Sequence, residues 1–248
     1  MDRQREYLRF GRELAVLALV FGLVLASYSY LADALPQGAT LGTPSVDTGP
    51  TVVPDSLTNP GGRIITVDLS LEQQNGGWKA YIGNVSGLYV LQNAVGDSIY
   101  EWPLSLVQGE VYISRNASIN FSSISCAGTS VITAENTFFG YAGADDDAIN
   151  KTFNSTAHRT FDVGPTNIPA NTCPATALWV NDTQQGQSSS AIWQEVLLND
   201  SSNRLVYASL MNNDRSGFDT ATYDFQAIIA DNRSSVSGTT YYFYVELG

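Results

Sequence analysis

Nineteen consecutive residues without a charge, Leu14 to Ala32 (LAVLALVFGLVLASYSYLA), constrain this chain more than any other feature. At about 1.5 Å per residue a helix of that length measures roughly 28 Å, close to the hydrocarbon thickness of a bilayer. Arg3, Arg5, Arg9 and Arg12 precede the run, and the next basic residue is Arg63. The excess of positive charge before the run keeps residues 1–13 in the cytoplasm and places the rest of the chain on the far side. Residues 14–32 are therefore read as a transmembrane or signal-anchor helix, with Tyr28 and Tyr30 near its outer interface. The implied localisation is that of a single-pass cell-membrane protein whose C-terminal domain is extracellular.

Two processing events offer alternatives. Ala32-Asp33-Ala34 has the small-x-small form of a signal-peptidase site, and cutting there would secrete the domain. The apolar run is longer than a typical signal-peptide core, which favours retention. Gly11, with Arg12 and Glu13 after it, loosely resembles a type IV prepilin site, where cleavage would free the apolar helix to assemble into a filament core.

Two further features point to export. Asn-x-Ser/Thr sequons occur at Asn84, Asn116, Asn120, Asn150, Asn154, Asn181, Asn199 and Asn232, all beyond the apolar run. With 17 asparagines and 45 serines and threonines among 248 residues, chance alone gives only about three. The two cysteines, Cys126 and Cys173, also lie in the exported portion, and an even pair in an oxidising compartment reads as a disulfide. Closing a loop of that length contributes about 4 kcal/mol on the chain-entropy account.

Residues 35–62 contain Pro36, Pro44, Pro50, Pro54 and Pro60 and many small polar residues, a composition that predicts a semi-extended stalk. From residue 63 the apolar period becomes two. Ile65, Val67, Leu69 and Leu71 alternate with polar residues, and similar runs occupy 78–82, 87–92, 98–102, 109–115, 117–122, 129–133, 158–163, 176–180, 191–198, 204–210, 222–230 and 240–247. Gly, Asn and Asp punctuate the gaps. A dozen or so strands without a clear amphipathic helix predict an all-β ectodomain over 63–248, an antiparallel β-sandwich or a related barrel. The segment 134–157, holding Asp145-Asp146-Asp147, is expected to be a solvated acidic loop rather than a calcium site, since the D-x-D-x-D-G spacing of an EF-hand is missing.

Chemistry-bearing constellations are sparse. Net charge is −12 and no basic stripe exists, so nucleic acid is not an expected partner. One histidine and two cysteines do not furnish the ligand sets of zinc fingers, iron–sulfur sites or c-type haem, so no metal or cofactor is implied. His158 is the sole histidine available to a nucleophile-based triad and has no nucleophile motif beside it. Glu101 and Glu110 are the best-placed carboxylates for glycoside hydrolysis, although sequence spacing fixes no distance between strands. Trp78, Trp102, Trp179 and Trp193 could stack against sugars, but alternating apolar runs make them core residues for the most part.

The stretch WKAYIGNVSG at 78–87, with IYEW at 99–102 and GEVYIS at 109–114, resembles a module of exported archaeal cell-surface proteins. The resemblance covers about a sixth of the chain. It implies an N-terminal membrane segment, a β-rich glycosylated exterior and a surface-layer or filament-associated role, and it brings no catalytic residues. The expectation is a non-enzymatic, membrane-anchored surface glycoprotein making structural or adhesive contacts. Its partners would be membrane lipid through residues 14–32, or copies of itself, with a surface-layer component or a glycan as a further partner. A pilin-like filament subunit and a carbohydrate-binding adhesin are the alternatives.

Overall fold

The computed structural model describes residues 35–49, 56, 58, 61, 64–70, 72, 74–233 and 238–248. The apolar run 14–32 and the two cleavage positions read at Gly11 and Ala34 lie outside the described residues. The described chain is rich in antiparallel strands with few helices. Its centre is one sheet built from β1 (Gln37–Gly38), β5 (Gly109–Ser114), β6 (Ser125–Cys126), β9 (Ala175–Ala177), β10 (Gln194–Asn199), β11 (Leu205–Leu210) and β15 (Tyr242–Leu247). The order is β1-β15-β5-β11-β10-β6, and β9 shares the β6 edge of β10.

Both faces of this sheet are covered, which explains its sequence. In β10, Val196 and Leu198 enter one core while Leu197 enters the other; in β11, Val206, Ala208 and Leu210 oppose Leu205 and Tyr207. A strand buried on both sides has no polar face, so QEVLLN and LVYASL are buried throughout instead of alternating. On one side lie the two-stranded pair β2 (Trp78–Gly83) and β14 (Phe225–Ala230), helix α1 (Thr129–Phe139) and the short helix α2 (Ile149–Thr152). On the other lie the hairpin of β7 (Phe161–Val163) and β8 (Thr166–Ile168) and the 3-10 turn Phe121–Ser123. β12 (Arg215–Ser216) and β13 (Thr222–Tyr223) form a small ladder. The strands β3 (Leu88–Gln92) and β4 (Ser98–Pro103) pair with each other and expose every residue they contain.

Four sequence expectations need correction. The strand expected over 129–133 is the first turn and a half of α1. Gly128 opens this helix and Gly140, at φ 78°, closes it, with the Tyr141 N–H returning to the Asn136 carbonyl. Its buried positions Val131, Ile132, Glu135, Asn136 and Phe139 follow a helical period that a five-residue window conceals. The run 117–122 leads into the 3-10 turn instead of forming a strand: Phe121 is buried against Tyr112 and Tyr244, with Ile119 half-buried beside the same core. Residues 64–70 have alternating chemistry but no ladder partner, and Ile64 and Leu69 are exposed.

The fourth correction concerns the stalk. Its first residues are not a spacer: β1 pairs with β15, matching Gln37 to Val245 and Gly38 to Tyr244, and the Ala39 N–H bonds the Phe243 carbonyl. Leu35 lies against Gly164, whose φ of 52° and lack of a side chain admit it. Residues 35–39 are thus docked on the folded domain, ahead of the boundary expected at 63.

Candidate functional site

β6 and β9 lie one after the other along the same edge of β10: Cys126 is opposite Leu198, and Ala175 is opposite Val196. Cys173 precedes β9, so the two cysteines meet at the seam between these strands and form a disulfide, with Cα atoms 4.8 Å apart. His158 is fully buried beneath that seam. Its Nε2 accepts the N–H groups of Thr172 (3.1 Å) and Cys173 (2.9 Å), which leaves Nδ1 to donate to the Arg159 carbonyl at 2.7 Å. This arrangement needs the neutral ring, and burial lowers the His158 pKa. The sole histidine is a fastening for the Cys173 turn.

The sequon asparagines divide by exposure. Asn84, Asn120, Asn150, Asn154 and Asn181 are exposed, while Asn116 and Asn232 are half-buried. Asn199 is only 8% exposed, sits within β10 and donates its Nδ2 to the Asp200 carbonyl at 2.9 Å. Asn150 and Asn154 line an open cleft of about 440 Å³ beside α1, so glycans there would stand over its mouth. A second cleft, about 470 Å³, holds Arg159, Arg215 and several amides and hydroxyls. The Arg159 guanidinium is committed to the Met211 carbonyl at 2.7 Å and to Asn212 at 3.3 Å. Neither cleft is lined by a carboxylate, histidine or cysteine to act as base or nucleophile.

Asp145 and Asp147 converge on Arg233, at 2.7 and 3.5 Å. The neighbouring Asp147 carbonyl accepts the Trp78 indole N–H at 2.8 Å. The acidic stretch 145–147 is therefore pinned to the domain, and the segment 134–157, expected to be one solvated loop, instead holds the second half of α1 and all of α2, both with residues buried against the core. Among the described residues no group of His, Cys, Asp or Glu forms a metal-binding cluster.

The two carboxylates singled out by sequence do not form a pair across a cleft. Glu101 is exposed on β4, whereas Glu110 is buried at the start of β5. The partner of Glu110 is Glu246, directly opposite in β15 and not apparent from spacing. Glu246 accepts the Tyr112 hydroxyl at 2.9 Å and the Gly164 N–H at 2.7 Å. Burial, reinforced by the Glu246 charge, pushes the Glu110 pKa up to about 8, against a lowering effect of Arg159. Glu110 is thus protonated at neutral pH and shut off from substrate.

The tryptophans split evenly. Trp193 is fully buried and donates to the Ser216 carbonyl at 2.7 Å, and Trp78 packs against Tyr141 and Phe153. Trp102 and Trp179 are about half exposed. The ladder register matches Tyr89 with Trp102 and Leu91 with Tyr100, so these four side chains share one face of the β3–β4 hairpin. Tyr100 and Trp102 lie with ring centroids 4.7 Å apart. Val90 and Glu101 are on the opposite face. Asn93 shapes the tip, accepting the N–H groups of Val95 and Asp97 and donating to the Asp97 carboxylate.

No family model, curated protein or solved structure matches this chain.

Proposed function

We propose that this is a non-enzymatic cell-surface glycoprotein, held in the membrane by residues 14–32 and displaying its β-rich domain outside the cell. The β2–β14 layer over the central sheet is read as the second layer of a β-sandwich. The observation that carries the proposal is the Cys126–Cys173 disulfide at the β6–β9 seam. Such a bond belongs to an oxidising compartment, and the only apolar run long enough to lead the chain there immediately precedes β1. Seven sequons with exposed or half-buried asparagines support the same reading. The resemblance of residues 78–114 to archaeal surface modules agrees with it.

Mass spectrometry of the native chain tests the proposal. An N-terminus at or near Met1, together with glycan mass on asparagines such as Asn84, Asn120 and Asn181, is the expected result. A chain beginning at Arg12 would replace the lipid anchor with a filament subunit, and one beginning at Leu35 would make the domain secreted. An unmodified chain recovered with both cysteines as thiols would refute export.

A further inference from the structure

The aromatic hairpin β3–β4 is exposed at every one of its residues. On one face Tyr89, Leu91, Tyr100 and Trp102 are 44, 55, 58 and 47% exposed, while Leu88, Val90 and Ile99, 52, 36 and 80% exposed, are on the other. A contiguous apolar surface of this kind on a soluble domain marks a contact with something else. Its location indicates what. The Tyr89 hydroxyl bonds the Leu247 carbonyl at 3.3 Å, and the Leu247 side chain closes over Gly87 at the hairpin base. β1 is antiparallel to β15 with Gln37 opposite Val245, so extending the register brings Leu35 opposite Leu247. The chain therefore enters the domain at the same end of the sheet from which the hairpin departs. Only Asp33 and Ala34 separate Leu35 from the end of the apolar run, a reach of about 10 Å even when fully extended.

We infer that the Tyr89, Leu91, Tyr100 and Trp102 face of this hairpin lies in the outer interface of the bilayer that residues 14–32 enter, holding the domain down at a second point. This inference rests on the anchoring reading proposed above. Strands of five or six residues span about 17–20 Å, enough to cross the distance that Asp33 and Ala34 allow. Tyrosine and tryptophan are the side chains that favour the headgroup level, where an apolar ring and a polar tip are both accommodated. Leucine between them adds area for the acyl boundary. The face carries no charge; Glu101 is on the other side and Asp97 is tied to Asn93 at the tip. A sugar platform would instead interleave its rings with hydrogen-bonding groups, whereas here the apolar Leu91 stands opposite Tyr100. With 20 acids against 8 basic residues beyond Ala34, the domain suits a zwitterionic surface better than an anionic one.

The test uses the full chain reconstituted in phosphatidylcholine vesicles. With Cys126 and Cys173 oxidised, Leu91→Cys and, separately, Val95→Cys provide a single thiol for an environment-sensitive fluorophore, and Ser118→Cys is the control beyond the opposite end of the sheet. Val95, 82% exposed at the tip, gives a second site should Leu91→Cys disturb the hairpin. The expected result is flotation with the vesicles, blue-shifted emission at position 91, and at least a twofold quenching there by lipids brominated on the acyl chains, with none at 118. Flotation with unquenched, water-like emission at both 91 and 95 would overturn the hairpin contact and leave the anchor standing. Energy transfer between labelled copies without lipid quenching would identify a second copy as the occupant and overturn the inference equally. Burial of position 91 only on adding cellohexaose would assign the face to a glycan. Failure to float would refute the anchor itself.

Discussion

Replacing Glu110 by glutamine should make the protein progressively more stable than wild type as pH rises. In the folded chain Glu110 is 7% exposed, faces Glu246 across the β5–β15 ladder and titrates near 8 instead of 4.5. Linkage sets the sign. Below pH 4.5 both folded and unfolded chains carry the proton and no penalty exists. Between 4.5 and 8 only the unfolded chain ionises, so the fold loses about 1.4 kcal/mol per pH unit. The loss is about 3 kcal/mol at pH 7 and levels off near 5 kcal/mol above pH 8. Glutamine has nearly the shape of a protonated glutamate and does not titrate over this range. The stability difference between E110Q and wild type should therefore grow by about 3 kcal/mol or more from pH 5 to pH 8, whatever the fixed cost of the amide. Urea unfolding of the full chain in mild detergent, monitored by near-ultraviolet circular dichroism, would show this as a relative midpoint shift of about 1–2 M. A difference that stays flat across that range would refute a carboxyl that burial, reinforced by the Glu246 charge, keeps protonated.

Two further perturbations address other parts of the fold. Cys126→Ser with Cys173→Ser should lower unfolding stability by about 4 kcal/mol, measured against wild type under non-reducing conditions, because the closed loop spans 47 positions. Gly164→Ala should expel Leu35 and strain a backbone at φ 52°, loosening β1; limited proteolysis should then cut between residues 35 and 49 at least several-fold faster than in wild type, while unchanged cleavage would mean that β1 is not docked.

What could be read from the sequence depended on how far each signal was local. A strand with one covered face, such as β2, announces itself by alternation, and β10 and β11 by apolar runs bounded by polar turns. The cysteine pairing came from count and compartment alone. α1 was concealed because Thr129-Ser130-Val131-Ile132-Thr133 is rich in β-branched residues, whose preference for strands is overridden by burial of Val131, Ile132 and Phe139 against the central sheet. The docking of Leu35–Ala39 and the opposition of Glu110 to Glu246 depend on β15, more than a hundred residues away, and no local pattern carries such pairings. Trp78 and Trp102 occupy similar alternating runs, yet β2 is covered by its neighbours and β4 is not. Periodicity defines two faces of a strand, and tertiary packing decides whether either is buried.

Protease treatment of intact cells, compared with lysed cells, tests the central claim most directly. The account predicts that the domain from residue 35 onward is degraded on intact cells while a small N-terminal fragment containing residues 1–32 stays with the membrane. A domain untouched on intact cells but digested after lysis would place it in the cytoplasm and contradict the account.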